Sequence, residues 1–143
     1  MTKLPSVLDI FTEEQIQQTR FVQPKAQPIH EEVPGDLSFR RFILERGDAT
    51  PVHFHKNRHK VYFGFRQGYV EIYIFSESGI PTKHILRSGE SFHVPAGQAH
   101  CLRYFGIENW GKFTISVVST PNEPLDIYWE EAAEELVSRT PIR

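Results

Sequence analysis

The sequence predicts an all-β fold, an antiparallel sandwich or small barrel, on three observations. Short runs rich in aromatic and β-branched residues follow one another from LSFRRFILER (37–46) through VHFH, VYFGF, YVEIYIF, TKHIL, SFHV and AHCLRYF to KFTISVV. Turn residues separate them, notably Gly47-Asp48, Ser78-Gly79 with Pro81, and Pro95-x-Gly97. The 11 Phe and 5 Tyr among 143 residues suit a pleated, half-buried surface. Strands at such regular spacing argue against a βαβ arrangement.

Three segments are expected: an N-terminal extension over 1–36 with a short helix and an extended arm, a barrel over 37–129, and a C-terminal helix over 130–143. The first helix is placed at Thr12 to Thr19, where Thr12 and Gln15 form a capping box and Ile16 anchors a polar, peripheral element. Pro24 and Pro28 then interrupt regular structure from Arg20 to Glu32, leaving an extended or disordered arm. In the first barrel strand Arg40 and Arg41 face opposite ways; the one facing inward is a candidate to hold an anionic substrate group, and a solvated arginine is the simpler alternative. VYFGF and YVEIYIF read as antiparallel neighbours joined tightly at Gln67-Gly68. LDIYW is read as an edge strand, and Glu130 to Ser138 as the last helix, with acids in its first turn.

Composition narrows the function. Sixteen basic and 18 acidic residues, without a long single-sign run, leave no footprint for nucleic acid or a membrane surface. The single Cys101 excludes an internal disulfide, and MTKLPSVLDIFTEEQ lacks the apolar run of a signal peptide, so a soluble cytoplasmic protein is expected.

Chemistry concentrates in two stretches. In the first, Gly47 and five residues precede His53-Phe54-His55; two histidines at strand spacing face one spot. In the second, Gly89, five residues, Pro95-x-Gly97 and two residues lead to His100, with Tyr104 a further four on. Three imidazoles converging from two strands suit a divalent metal. Tyr104 shares a face with His100 and is expected near the site, as a hydrogen-bond donor, an acid or a packed ring, whereas Cys101 faces away.

The two stretches resemble the paired signature motifs of the cupin superfamily. That resemblance implies a double-stranded antiparallel β-barrel of jelly-roll type, a homodimer pairing through N-terminal strands, and a metal site. The usual glutamate ligand is replaced, because His59 and Lys60 occupy the positions at which the family carries it. Tyr104 stands where the family has Asn, and Gly68 falls one or two positions late, as a bulge would cause. The ligand set expected is His53, His55 and His100, with His59 as an optional fourth. Val61 and Phe63 suggest that the face carrying His59 is the buried one, turning Lys60 outward; with the opposite facing, Lys60 becomes a catalytic candidate.

Three functions are carried forward. The leading one is a metal-dependent small-molecule enzyme of dioxygenase or isomerase/epimerase type, using iron, nickel, manganese or zinc. The HFHK stretch at 53–56 also resembles that of cupin sugar ketoisomerases, in which histidines act as general acid and base without metal. The third is a non-catalytic ligand-binding or sensory cupin.

Overall fold

A computed structural model describes residues 4–24, 27–28, 37–65, 68–104, 111–120, 127–139 and 141. Two sheets face each other. One contains β3 (Ser38–Glu45), β6 (His59–Phe65), β9 (Ser91–Val94) and β11 (Lys112–Thr120), with β2 (Gln27–Pro28) at its edge in the order β2-β3-β11-β6-β9. The other contains β1 (Arg20–Phe21), β4 (Asp48–Ala49), β5 (His53–Phe54), β10 (His100–Tyr104) and β12 (Tyr128–Trp129), with β7 (Tyr69–Phe75) on β10 and β8 (Pro81–Arg87) on β7. The result is the expected all-β jelly roll. All pairs are antiparallel except β1 with β4.

Two pairings differ from the sequence reading. The segment from Arg20, expected to lack regular structure, supplies β1 to one sheet and β2 to the edge of the other. β6 and β7 are consecutive but lie in opposite sheets, β6 pairing with β11 and β9 while β7 pairs with β10 and β8. The chain crosses between sheets near Gly68, whose φ of 112° is open to glycine and strained for other residues. The expected bulge before Gly68 falls at residues 66–67, outside the described residues.

Facing rows across the five-stranded sheet define the interior. Leu44 opposes Phe113; Phe42, Ile115 and Gly64 form the next row; Arg40, Val117, Tyr62 and Phe92 the next; Ser38, Ser119, Lys60 and Val94 the last. The even-numbered positions of β6 share this inward face, and Tyr62, with Leu44, Phe113, Ile115, Val117 and Val94, packs with Val70, Ile72, Ile74, Leu86, Leu102 and Tyr104 of the opposite sheet. Burying each large side chain contributes about 1.5–3 kcal/mol. Gly64 is required by this closeness, since a Cβ there would overlap the Arg87 carbonyl oxygen.

The N-terminal segment covers the outer face of the second sheet. α1 (Glu13–Gln18) has the expected capping box of Thr12 and Gln15, and buries Ile16. Val7, Phe11, Ile16 and Phe21 pack on Tyr73, Phe75 and Cys101, joined by Leu136 of α2 (Ala133–Ser138). Arg20 forks onto Asp48, at 2.7 and 2.8 Å, and fixes β1 beside β4. Glu130 ties both ends to the motif strand: its carboxylate accepts from Val52 N at 2.6 Å, Ser6 Oγ at 2.8 Å and Val7 N at 3.3 Å. Burial pushes its carboxyl pKa up, against the pull of these donors. No helix among the described residues is long and apolar enough to cross a membrane.

Two substitutions test this frame by urea unfolding. Glu130→Ala leaves two backbone donors without their acceptor and should cost about 2–4 kcal/mol. Gly64→Ala should cost about 1–3 kcal/mol by overpacking. Wild-type midpoints in both would show that neither contact constrains the fold.

Candidate metal centre

The two motifs are stitched together by backbone. His53 of β5 is the register partner of His100 in β10, and the turn before β10 docks by donating Gly97 N–H to His55 O at 2.7 Å. Gly97 has φ 83°, which lets the turn point that amide back at the first motif. On its other edge β5 meets β12, where Trp129 opposes His53. Ring centroids of His53 lie 4.2 Å from His100, 4.6 Å from Trp129 and 5.3 Å from His55.

The three histidines are buried, and one ligand atom from each lies within 4.8 Å of the others. Among the described residues no other group of three histidine, cysteine or acidic side chains gathers so closely. Their tautomers follow from their neighbours. His53 Nδ1 is 3.0 Å from Pro51 O and His100 Nδ1 is 2.9 Å from Gln98 O; a carbonyl only accepts, so both Nδ1 atoms carry the proton. Both Nε2 atoms keep a lone pair. Burial first, then the neighbouring His100 and His55, holds His53 well below the ordinary histidine pKa. Burial likewise lowers His100 to about 4, with a smaller push from the Lys60 ammonium. Neutral, oriented imidazoles are the protonation state that a divalent transition metal requires, so the donor set fits such an ion.

The remaining candidates are placed differently from expectation. Lys60 and Tyr62, not His59, share the inward face of β6, reversing the facing inferred from Val61 and Phe63. His59 is exposed on the outer face, stacked on His93 with ring centroids 5.5 Å apart. Val61 and Phe63 are only half-buried there, so their apolar character marks a partly covered outer surface. Tyr104 is on the inner face with His100 but roughly 13 Å along the strand, at about 3.3 Å per residue, and its ring packs on Phe113 in the apolar core. Cys101 faces away into the cluster under the N-terminal segment, as expected, and burial pushes its thiol pKa up.

Tyr62 is a site residue that the sequence analysis did not single out. It is 3% exposed, and its hydroxyl donates to His100 Nε2 at 3.0 Å. The signal was available in parity, since Tyr62 lies two residues from Lys60. Arg40 also turns inward, while Arg41 faces outward and donates to Ser116 Oγ at 3.4 Å. Arg40, Phe42, Lys60, Tyr62, Leu102 and Trp129 line a cavity of about 80 Å³ that reaches His53 and His55. A broader open groove of about 600 Å³ near Phe54, Phe75 and Pro95 is lined by none of the three histidines.

No family model matches the chain, and no curated sequence is similar to it. Solved structures are similar in fold. Oxalate oxidase in complex with glycolate aligns with a TM-score of 0.61 at 19% identity, over 75% of this chain and 54% of that one. Oxalate decarboxylase of Bacillus subtilis, described for its Mn(II) centres, aligns at 0.59 and 16%, over 72% of this chain and 29% of that one. A Klebsiella pneumoniae protein with a double-stranded β-helix domain aligns at 0.58 and 18%, over 85% and 96%. The chain spans about half the length of the oxalate oxidase.

The exposed and buried members of β6 should respond differently to substitution. His59→Ala should change unfolding free energy by no more than about 0.5 kcal/mol. Tyr62→Phe should cost about 1 kcal/mol through its lost hydrogen bond. A larger loss in His59→Ala than in Tyr62→Phe in calorimetric unfolding would show that the facing of β6 is reversed.

Proposed function

With the cupin fold as the premise, we propose that this chain is a metal-dependent enzyme acting on a small molecule, with His53, His55 and His100 as ligands of a divalent transition metal. The observation that carries the reading is the convergence of three buried ligand atoms within 4.8 Å. Iron, nickel, manganese and zinc all accept imidazole, and manganese is the first to test because a structural neighbour is described for its Mn(II) centres. Such an ion supplies Lewis acidity and open positions for substrate.

The protein's own residues supply orientation and shielding. Pro51 O and Gln98 O fix the ring faces of His53 and His100. Trp129 lies against His53 and, with Leu102 and Phe42, gives the cavity an apolar lining. The Tyr62 hydroxyl donates to the His100 Nε2 lone pair in the metal-free site; once that lone pair is taken by a metal, the O–H is displaced and freed for a ligand oxygen. Tyr104, in the apolar core, is assigned packing instead of catalysis. Dioxygenase and isomerase chemistry are both compatible with this set.

A metal-free isomerase is favoured by one feature, the Lys60 ammonium, whose charge acts on both His53 and His100 and would oppose a second cation. Against it stands the lowered basicity of these histidines. A group with pKa about 4 is a poor proton acceptor at neutral pH.

Metal analysis of protein purified without a histidine tag decides between them. About one equivalent of metal is expected, at least tenfold less in His53→Ala and unchanged in His59→Ala. Wild-type protein that stays metal-free after reconstitution would end the proposal.

A homodimer is also proposed. Ile43 is 53% exposed on the outer face of the five-stranded sheet, a face that also carries half-buried Phe39, Val61, Phe63 and Val118, and the N-terminal β2 edges that sheet. Sedimentation should give twice the 16.6 kDa chain mass, falling toward one chain in Ile43→Glu. A wild-type monomer at micromolar concentration would reject it.

A further inference from the structure

We propose that His59 and His93, on the outer face of the five-stranded sheet, form a second metal site: a two-histidine clip for zinc, separate from the three buried histidines.

The strands place the pair. β6 and β9 run antiparallel with Val61 opposite His93, and His59, two residues before Val61, shares its face. The two histidines are therefore diagonal neighbours on adjacent strands, close enough for their rings to meet. Both are exposed. β9 ends the sheet order β2-β3-β11-β6-β9, so the clip lies at the edge away from Ile43 on β3. It also lies on the other side of the sheet from Lys60 and Tyr62, which line the cavity of His53 and His55.

Distance identifies the ligand. His59 Nδ1 and His93 Nε2 are 3.4 Å apart, with ring planes 24° from parallel. That spacing is long for a hydrogen bond. It is the spacing of two ligands on one tetrahedral ion, since imidazole nitrogens about 2.0–2.1 Å from zinc stand about 3.3–3.4 Å apart at the tetrahedral angle. At the right angles of an octahedral or square-planar ion, the same bonds would set them about 2.8–3.0 Å apart.

A second contact identifies the tautomer of His59. Ala96 N–H points at His59 Nδ1 from 3.4 Å, so this atom holds a lone pair and the ring proton lies on Nε2. His93 presents a lone pair at Nε2 when its own proton is on Nδ1, the alternative tautomer of a neutral imidazole. Bonding to zinc would then replace two long contacts at His59 Nδ1 with one short one. Two protein ligands leave two tetrahedral positions for water or for a side chain of another molecule. They also hold an ion weakly, so the clip empties when free metal is removed and does not add to the metal content of purified protein.

The test is calorimetric titration with zinc in mildly alkaline buffer. Wild-type protein should take up two equivalents, the second more weakly. His53→Ala removes a ligand of the buried centre and should retain the weaker equivalent. His59→Ala and His93→Ala should each weaken that equivalent at least tenfold and leave the tighter one unchanged, with an unaltered far-ultraviolet circular dichroism spectrum reporting an intact fold. Cobalt, as a spectroscopic substitute, should give the intense visible bands of a tetrahedral ion in His53→Ala and lose them when His59→Ala is added. A single equivalent that disappears in His53→Ala, or a weaker equivalent that keeps wild-type affinity in either outer-face variant, would overturn the inference. Zinc uptake that depends on His59 and His93 and not on His53 would leave it standing and reject the buried metal centre alone.

Discussion

The site depends on one seam, the pairing of β5 with β10. His53 opposite His100 is a single register pair, and the 2.7 Å hydrogen bond from Gly97 N to His55 O locks the approach of the second motif to the first. A slip of one residue would send His100 to the far face and bring Cys101 into its place. The seam is therefore braced from both sides: β7 holds β10 by pairing Ile74 with His100, and β12 holds β5 by pairing Trp129 with His53. Glu130, next along from Trp129, carries the brace outward by accepting from Val52 and from the N-terminal turn. Closing a contact between residues so far apart in sequence costs chain entropy, and burial under the N-terminal segment offsets it.

Parity in β6 then decides the electrostatics. An inward lysine, where a carboxylate would offset positive charge, adds to it beside the three histidines. His59, the chemically milder substitute, is on the outer surface, stacked on His93. The consequence reaches the histidines before any ligand arrives, since the Lys60 ammonium adds to burial in keeping His100 unprotonated.

What was legible in the sequence was local. The Thr12 and Gln15 capping box, the glycine-marked turns and the fixed spacing around His53, His55 and His100 each express a constraint within a few residues, and the structure displays all of them. The facing of β6 was not legible, because Val61 and Phe63 are as apolar as inward residues should be while lying on an outer face that is itself partly covered. Alternation identifies two faces and leaves unspecified which is interior when both carry apolar side chains. The pairing of β6 failed for a related reason. Adjacent strands in sequence are usually neighbours, and a jelly roll breaks that habit by passing β7 to the opposite sheet. Tyr62 was missed because a tyrosine among aromatics reads as core, and it does belong to the core cluster; only the partner of its hydroxyl, His100, reveals the second role.

The interior rows also explain why stability and chemistry coexist in so small a barrel. From Leu44 and Phe113, through Ile115 and Gly64, to Tyr62 with Arg40 and finally Lys60 with Ser38 and Ser119, the side chains pass from wholly apolar to polar within a few strand positions. Tyr104 at the apolar end and His100 at the polar end belong to one five-residue strand, so a single element spans the gradient. Close packing at one end anchors the strands, and the other can then hold cations and neutral imidazoles in positions that collapse would otherwise abolish. Lys60 can face inward for the same reason: its row ends at the polar cavity, and not against Phe113 and Leu44, where a charge would lie in the apolar core.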